Sequence, residues 1–233
     1  MPVLRWDILR RMQDALLVME TSCTRPSAVL RAGENLLGAV EWVAERNHAA
    51  AIFGALQRLL PALEGHRLAE IVVGSGPGSY GGVRVALAVA DGFALVHGAR
   101  VAAFGSWNGL GVDDAEALVI SDARRGGWAW GRLCGGLLDG EPEVLPADRT
   151  MERIGECRQA GLPVYSTETA EALSAKGMEG VRPVQPGAEA LARAWCALPG
   201  DRRESLLSGT AEPLYVRAPH ITCAKRPAWA VKA

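Results

Sequence analysis

The sequence lacks the marks of several common classes of protein. Its five cysteines are odd in number and none belongs to a C-x-x-C pair, which disfavours both a disulfide framework and a zinc site. No apolar run is long enough to span a bilayer. The first 14 residues contain neither the apolar core nor the small-residue cleavage site of a signal peptide. These absences predict a cytoplasmic protein without a membrane partner.

An excess of charge and a metal-binding histidine pair are also missing. Lysine and arginine total 25, aspartate and glutamate total 26, and the formal charge is −1, whereas a protein that binds nucleic acid by itself usually has a basic excess. The chain has four histidines, and no two lie four residues apart. It therefore lacks the H-x-x-x-H pair that clamps a metal ion on one helix face. No serine, histidine and aspartate occur in the sequence motifs of a catalytic triad either.

What is present is one order of elements, which occurs twice. An apolar run at Ala15–Met19 ends in Glu20 and precedes a predicted hairpin, and the run at Ala117–Ile120 ends in Ser121 and Asp122 before a second strand–turn–strand. This repeat predicts two α/β lobes, each with a mixed sheet. We expect helices near 46–63, 82–97, 151–160 and 187–198, lobes at 15–105 and 106–217, and terminal extensions at 1–14 and 218–233.

A glycine-rich stretch, GSGPGSYGG, separates a predicted strand at 68–73 from the helix that follows. Gly76, Gly78 and Gly81 have the G-x-G-x-x-G spacing of a dinucleotide site. The next predicted strand, Arg100–Phe104, lacks the acid that would hold a ribose, and no lysine completes a phosphate-binding P-loop. Two interpretations stay open: a phosphate cradle, and a tight turn that allows close backbone packing.

The helix after the glycines is apolar nearly all round, interrupted by Arg84 and Asp91. Such a helix is buried on more than one face. Its alternating small residues would let another helix come close, so the sequence allows packing against its own sheet, a subunit interface, or both.

Five segments occur in a recognisable order: LLVMETSCTRPSAVL, ERNHAAAIFGAL, VVGSGPGSYGGVRVALAVADGFAL, SDARRGGWAWGRL and PLYVR. They resemble the patterns of the bacterial TsaB (YeaZ) family over about residues 16–217. The resemblance implies a two-lobed actin-like fold, with ribonuclease H-like mixed sheets in duplicate. The glycine signature with the D-A-R is its most specific part.

The resemblance implies a subunit without catalytic residues of its own. Such a protein pairs with TsaD, and with TsaE, in the threonylcarbamoylation of the adenosine beside the anticodon in tRNA. The tRNA would be reached only through the complex, a homodimer of the isolated chain stays open, and no cofactor is implied beyond ATP or ADP at the interface. The implied residues are Asp122 and Arg124 beside that nucleotide, Gly76, Pro77, Gly78, Ser79 and Arg84 in a structural glycine loop, and His48, Ile52, Leu56, Ser79, Val83, Ala86 and Ala90 on the partner surface.

Two departures from the family pattern bear on this implication. Glu20 stands for the usual aspartate, which weakens the expectation of an ancestral metal site, and Gly81 stands for the usual threonine, which removes a helix cap. Asp122 and Arg124 also fit a hydrogen-bonded turn. The alternatives are an actin-like small-molecule kinase or other nucleotide-binding enzyme, and a dinucleotide-dependent oxidoreductase.

Overall fold

The computed structural model of the chain describes residues 12–43 and 48–217, and its first lobe is built on a five-stranded mixed sheet. The strand order is β3-β2-β1-β4-β5. β1 pairs antiparallel with β2 and parallel with β4, so a hairpin meander and two crossover strands share one sheet. The strands are β1 (Gln13–Glu20), β2 (Ser27–Ala32), β3 (Asn35–Glu41), β4 (His66–Gly74) and β5 (Arg100–Phe104).

The second lobe repeats this arrangement with a sheet of order β10-β9-β6-β7-β8. β6 takes the central place of β1, pairing antiparallel with β7 and parallel with β9. The strands are β6 (Glu116–Asp122), β7 (Gly127–Cys134), β8 (Leu137–Pro146), β9 (Val164–Ser166) and β10 (Arg182–Pro183). The duplicated strand order confirms the predicted repeat and the two-lobed actin-like fold.

Six α-helices are found within residues 12–43 and 48–217. They are α1 (His48–Leu59), α2 (Tyr80–His97), α3 (Ala147–Gln159), α4 (Ala170–Ser174), α5 (Ala188–Ala197) and α6 (Gly200–Ser208). α1 ends before Pro61, which lies in a 3-10 turn, Leu60–Leu63, because proline cannot continue the helical hydrogen bonds. None of the helices in this part of the chain combines the length and apolar character that crossing a bilayer requires.

Alternation along β1 sends apolar side chains to both faces of the first sheet. Leu17 and Met19 face the cluster that includes α1 and α2, whereas Val18 packs with Trp195 of α5 on the other face. α5 and α6 therefore cover the first lobe. This corrects the predicted boundary, which placed both helices in the second lobe, because the sheet needs cover on each side.

The second lobe has its own core around β6. Trp128 and Trp130 pack with Ile154 of α3, and the Arg153 guanidinium lies 5.1 Å from the centre of the Trp130 ring. Both tryptophans therefore serve to pack α3 against the second sheet. On the opposite face, the fully buried Trp107 packs against Val119.

Candidate functional site

A cleft of about 580 Å³ lies between the two lobes. It forms where the carboxyl ends of β1, β4, β6 and β9 meet the loops that follow them, the usual place for a binding site in α/β sheets. The glycine loop and the D-A-R turn face each other across it. Its lining includes Ser22, Ser75, Gly76, Gly78, Ser79, Asp122, Arg124, Thr167, Glu168, Tyr215 and Arg217.

The glycines of the loop allow close contact with the chain that follows β1. A Cβ atom on Gly78 would lie 2.2 Å from the Ser22 carbonyl oxygen, and one on Gly82 would lie 2.2 Å from that of Thr21. The Ser79 N–H donates to the same Ser22 oxygen at 2.7 Å. The glycine pattern therefore reflects packing between two loops of one lobe.

Several backbone N–H groups that a phosphate would need are already engaged. Ser75 N–H donates to the Phe104 carbonyl at 2.9 Å, and Gly76 N–H donates to Ser106 Oγ at 2.9 Å. Ser79 is the N-cap of α2 and accepts from Gly82 N–H at 3.3 Å, which supplies the cap that Gly81 cannot. Of the two interpretations, this geometry favours the tight turn.

Glu20 lies at the end of β1 as a fully buried acid. Its Oε1 accepts from Ser22 N–H at 2.7 Å, and Oε2 has no hydrogen-bond partner among the described residues. Burial raises the pKa of this carboxyl, although the hydrogen bond from Ser22 N–H opposes the shift. Gly74 makes room for it, since a Cβ there would lie 1.9 Å from Oε2. Within the described ranges, no three His, Cys, Asp or Glu side chains are grouped to hold a metal ion.

The D-A-R turn is held by Asp122. Its Oδ1 accepts from Arg124 N–H at 2.7 Å, and Oδ2 pairs with Lys176 Nζ at 2.9 Å. Burial opposes ionisation, but these hydrogen bonds outweigh it and lower the pKa of Asp122. The interpretation as a hydrogen-bonded turn is confirmed. Arg124 and Arg125 have φ of 64° and 51°, and the exposed Arg124 side chain has no ion pair among the described residues.

Replacement of Asp122 by asparagine tests this turn. The amide side chain keeps an acceptor for Arg124 N–H but loses the pair with Lys176, so we expect a loss of about 0.5–1 kcal/mol at neutral pH, given partial exposure. Because the pKa of Asp122 is lowered on folding, this stability exists above the unfolded pKa and disappears as pH falls through the folded one. Urea unfolding of both proteins across the acid range measures the difference. Equal curves at neutral pH would contradict the role.

The C-terminal segment 213–217, PLYVR, crosses the cleft and contacts both lobes. Leu214 N–H donates to the Ser75 carbonyl at 2.8 Å on the first lobe. Arg217 Nη1 donates to the Arg124 carbonyl at 3.0 Å on the second. At the mouth, the Tyr215 and Tyr80 rings lie 5.3 Å apart. From the sequence this segment was identified only as a family motif. Its position across the cleft could not be predicted, because its contacts join residues far apart along the chain.

The structure corrects the residues expected on the partner surface. α1 begins at His48, whose side chain lies outside the described part of the chain, and Ser79 lies at the cleft. The other five side chains fill the core between α1, α2 and the first sheet, each at most 2% exposed: Ile52, Leu56, Val83, Ala86 and Ala90. They cannot form a surface because the chain itself covers them.

The opposite face of α2 is exposed and largely small or apolar. Ala88, Gly92, Leu95 and Val96 recur at helical spacing on this face, and Leu95 and Val96 are 88% and 80% exposed. Arg84 begins the stripe and donates to Tyr80 Oη at 3.0 Å. The expected packing of this helix against its own sheet is thus confirmed, and the expected subunit interface on its open face stays a prediction.

Known proteins resemble this chain in sequence over part of its length and in fold over most of it. The family model for TsaD, tRNA N6-adenosine threonylcarbamoyltransferase, matches residues 34–139. No curated protein gives a match. A Pseudomonas aeruginosa structure described as an uncharacterised protein with similarity to peptidase YeaZ has 23% identity and a TM-score of 0.66, covering 88% of this chain and 100% of its own.

A second Pseudomonas aeruginosa structure, YeaZ, is equally similar, with 23% identity, a TM-score of 0.66, and coverage of 87% of this chain and 100% of its own. A Bacteroides thetaiotaomicron protein with an actin-like ATPase fold is more remote, at 10% identity and a TM-score of 0.39 over 83% of this chain and 99% of its own. The chain therefore matches the TsaD family model over residues 34–139 and has the fold of YeaZ.

Proposed function

We propose that this chain is a non-catalytic partner subunit that pairs with TsaD, and with TsaE, in the threonylcarbamoylation of the adenosine beside the anticodon in tRNA. The family-model match and the YeaZ fold support the assignment to this system. The single structural observation that carries the pairing role is the open face of α2.

That face has the composition of a protein–protein contact. Of the eight large hydrophobic residues exposed among the described residues, four lie on α1 or α2: Phe53, Tyr80, Leu95 and Val96. Exposed large hydrophobic side chains on these two helices favour an interaction site there. The small residues Ala88 and Gly92 on α2 allow close approach of a second helix. A Cβ on Gly92 would have no atom within 4 Å. The partner in this proposal is a helix of TsaD, or of a second copy of this chain in its absence.

A catalytic role finds less support in the cleft. The acids that line it, Asp122 and Glu168, both accept hydrogen bonds from the backbone, and Asp122 also pairs with Lys176. A small-molecule kinase would need a free general base there. Arg124 has an exposed, unpaired guanidinium within the described chain, and we place the contact with ATP or ADP there when the complex forms.

Co-purification with TsaD tests the proposal most directly. Tagged TsaD from the same organism is expected to retain this chain, and threonylcarbamoylation of tRNA, with TsaE and the threonylcarbamoyl-adenylate donor supplied, should require both proteins. Omission of each protein in turn is the control. Absence of a complex, together with phosphoryl transfer or tight dinucleotide binding by this chain alone, would favour one of the enzyme alternatives.

Replacement of Ala88 by tryptophan is expected to weaken pairing with TsaD about 5- to 150-fold, because overpacking a helix contact costs about 1–3 kcal/mol. Ala88 is exposed, so the isolated protein should keep its unfolding midpoint. Titration calorimetry of TsaD with each variant measures the affinity.

Ala197→Trp is the matched control for this substitution. Ala197 is an exposed alanine on α5, which covers the opposite face of the same sheet, so its replacement should leave the affinity unchanged. Equal affinity of the Ala88→Trp variant and the wild type would place the partner elsewhere.

A further inference from the structure

A second cavity lies in the C-terminal lobe, at the opposite end of its parallel strands from the cleft. It has a volume of about 320 Å³. Val164 and Arg182 open β9 and β10, and Asp114 precedes β6, so the cavity sits where these strands begin. The cleft lies where β6 and β9 end. The two cavities therefore belong to separate regions of the lobe.

Two arginines line this cavity without carboxylate partners. Among the described residues, neither Arg158 nor Arg182 forms an ion pair, whereas Arg149 and Arg153, earlier on the same helix as Arg158, pair with Glu152 and Glu156. An unpaired guanidinium offers a planar set of donors that matches a carboxylate or phosphate.

Each guanidinium is held in place from the side. Arg158 Nη2 donates to the Glu179 carbonyl, beside Gly180, whose φ of 80° belongs to the left-handed region. The Arg182 guanidinium lies 5.8 Å from the centre of the Tyr165 ring. Anchoring of this kind lowers the conformational cost of binding an anion.

The one acid of the lining is already engaged. Asp114 Oδ2 accepts from Tyr165 Oη at 2.6 Å, and this bond and burial raise the pKa of Tyr165. With two guanidinium groups against one carboxylate, the lining has a net positive charge. The floor is aliphatic, formed by the buried Ile154 and Val164 with Leu162 and Pro163.

We propose that this cavity binds a small carboxylate with a compact apolar body, through Arg158 and Arg182 and the aliphatic floor. The carboxylate would bond to the guanidinium groups while the hydrocarbon covers Ile154, Leu162 and Val164. The volume is at the lower end of the range for small-molecule sites. This proposal is independent of pairing with TsaD, because the cavity lies away from α1, α2 and the cleft.

Titration calorimetry of the full chain with 4-methylpentanoate tests the site. We expect saturable binding of this probe, no binding of the uncharged 4-methylpentanamide, and weaker binding of inorganic phosphate, which lacks an apolar body. Arg158→Gln and Arg182→Gln should each weaken binding about tenfold or more, since each removes a charged hydrogen bond. Arg149→Gln, also on α3 but outside the cavity, is the matched control.

Several results would overturn the proposal. They are absence of binding by any probe, equal binding of the amide and the acid, phosphate binding as tight as that of 4-methylpentanoate, or unchanged affinity in both glutamine variants. Because both arginines are exposed, the variants should fold, which circular dichroism verifies. Lysine at either position keeps the charge but not the paired N–H donors of the guanidinium. The affinity of the lysine variants for 4-methylpentanoate should therefore lie between those of the wild type and the glutamine variants.

Discussion

Replacement of Gly82 by alanine is expected to destabilise the protein by about 2–3 kcal/mol, because the new methyl group would overlap backbone atoms. The Cβ would lie 2.2 Å from the Thr21 carbonyl oxygen and 3.2 Å from Ser79 Oγ. Relief requires α2 to move away from the loop after β1, which would lengthen the 2.7 Å bond from Ser79 N–H to the Ser22 carbonyl. Urea unfolding measured by circular dichroism gives the change.

Gly92→Ala is the matched control on the same helix. Nothing lies within 4 Å of a Cβ at Gly92, so the substitution should stabilise the protein by about 0.5–1 kcal/mol through helix propensity and reduced freedom of the unfolded chain. Opposite signs at the two glycines would establish that close contact, and not glycine content, explains the loop. If Gly82→Ala leaves the free energy of unfolding unchanged, α2 and the loop after β1 are not held at this distance.

Replacement of Glu20 by glutamine should remove a dependence of stability on pH. Burial raises the pKa of Glu20 above its ordinary value of 4.5, so the folded state binds the proton more tightly than the unfolded state. Wild-type stability should therefore fall as the pH rises from the unfolded pKa to the folded one, by up to about 1.4 kcal/mol per pH unit. Below the unfolded pKa both states are protonated and the penalty is absent.

Glutamine keeps the acceptor for Ser22 N–H and carries no charge, so the variant should lose this slope and be at least as stable as wild type at alkaline pH. The measurement is the free energy of unfolding in urea from acid to mildly alkaline pH. Asp122→Asn serves as a control of opposite sign, because the pKa of Asp122 is lowered on folding. Parallel curves for wild type and Glu20→Gln would mean that Glu20 is ionised in the folded protein without penalty.

The corrections to the expected partner surface come from the limits of periodicity. The apolar pattern of α2 shows that more than one face is covered, but both faces contain small and apolar side chains. Val83, Ala86 and Ala90 face the sheet while Ala88 and Gly92 face outwards. Only the direction from which α2 approaches β4 decides between them, and that direction is a property of the packed lobe.

The sequence by itself determined the four longest of the six described helices, the repeat of one arrangement in two lobes, and the need for close backbone approach at Gly76–Gly82. These features depend on local rules: side-chain period, turn residues, and the conformations that glycine permits. The tertiary structure alone decided that Thr21 and Ser22 are the neighbours of that loop, that α5 and α6 return to cover the first sheet, and that PLYVR joins the lobes across the cleft. Each of these joins residues distant along the chain, and an apolar face specifies that it must be buried without specifying which surface covers it.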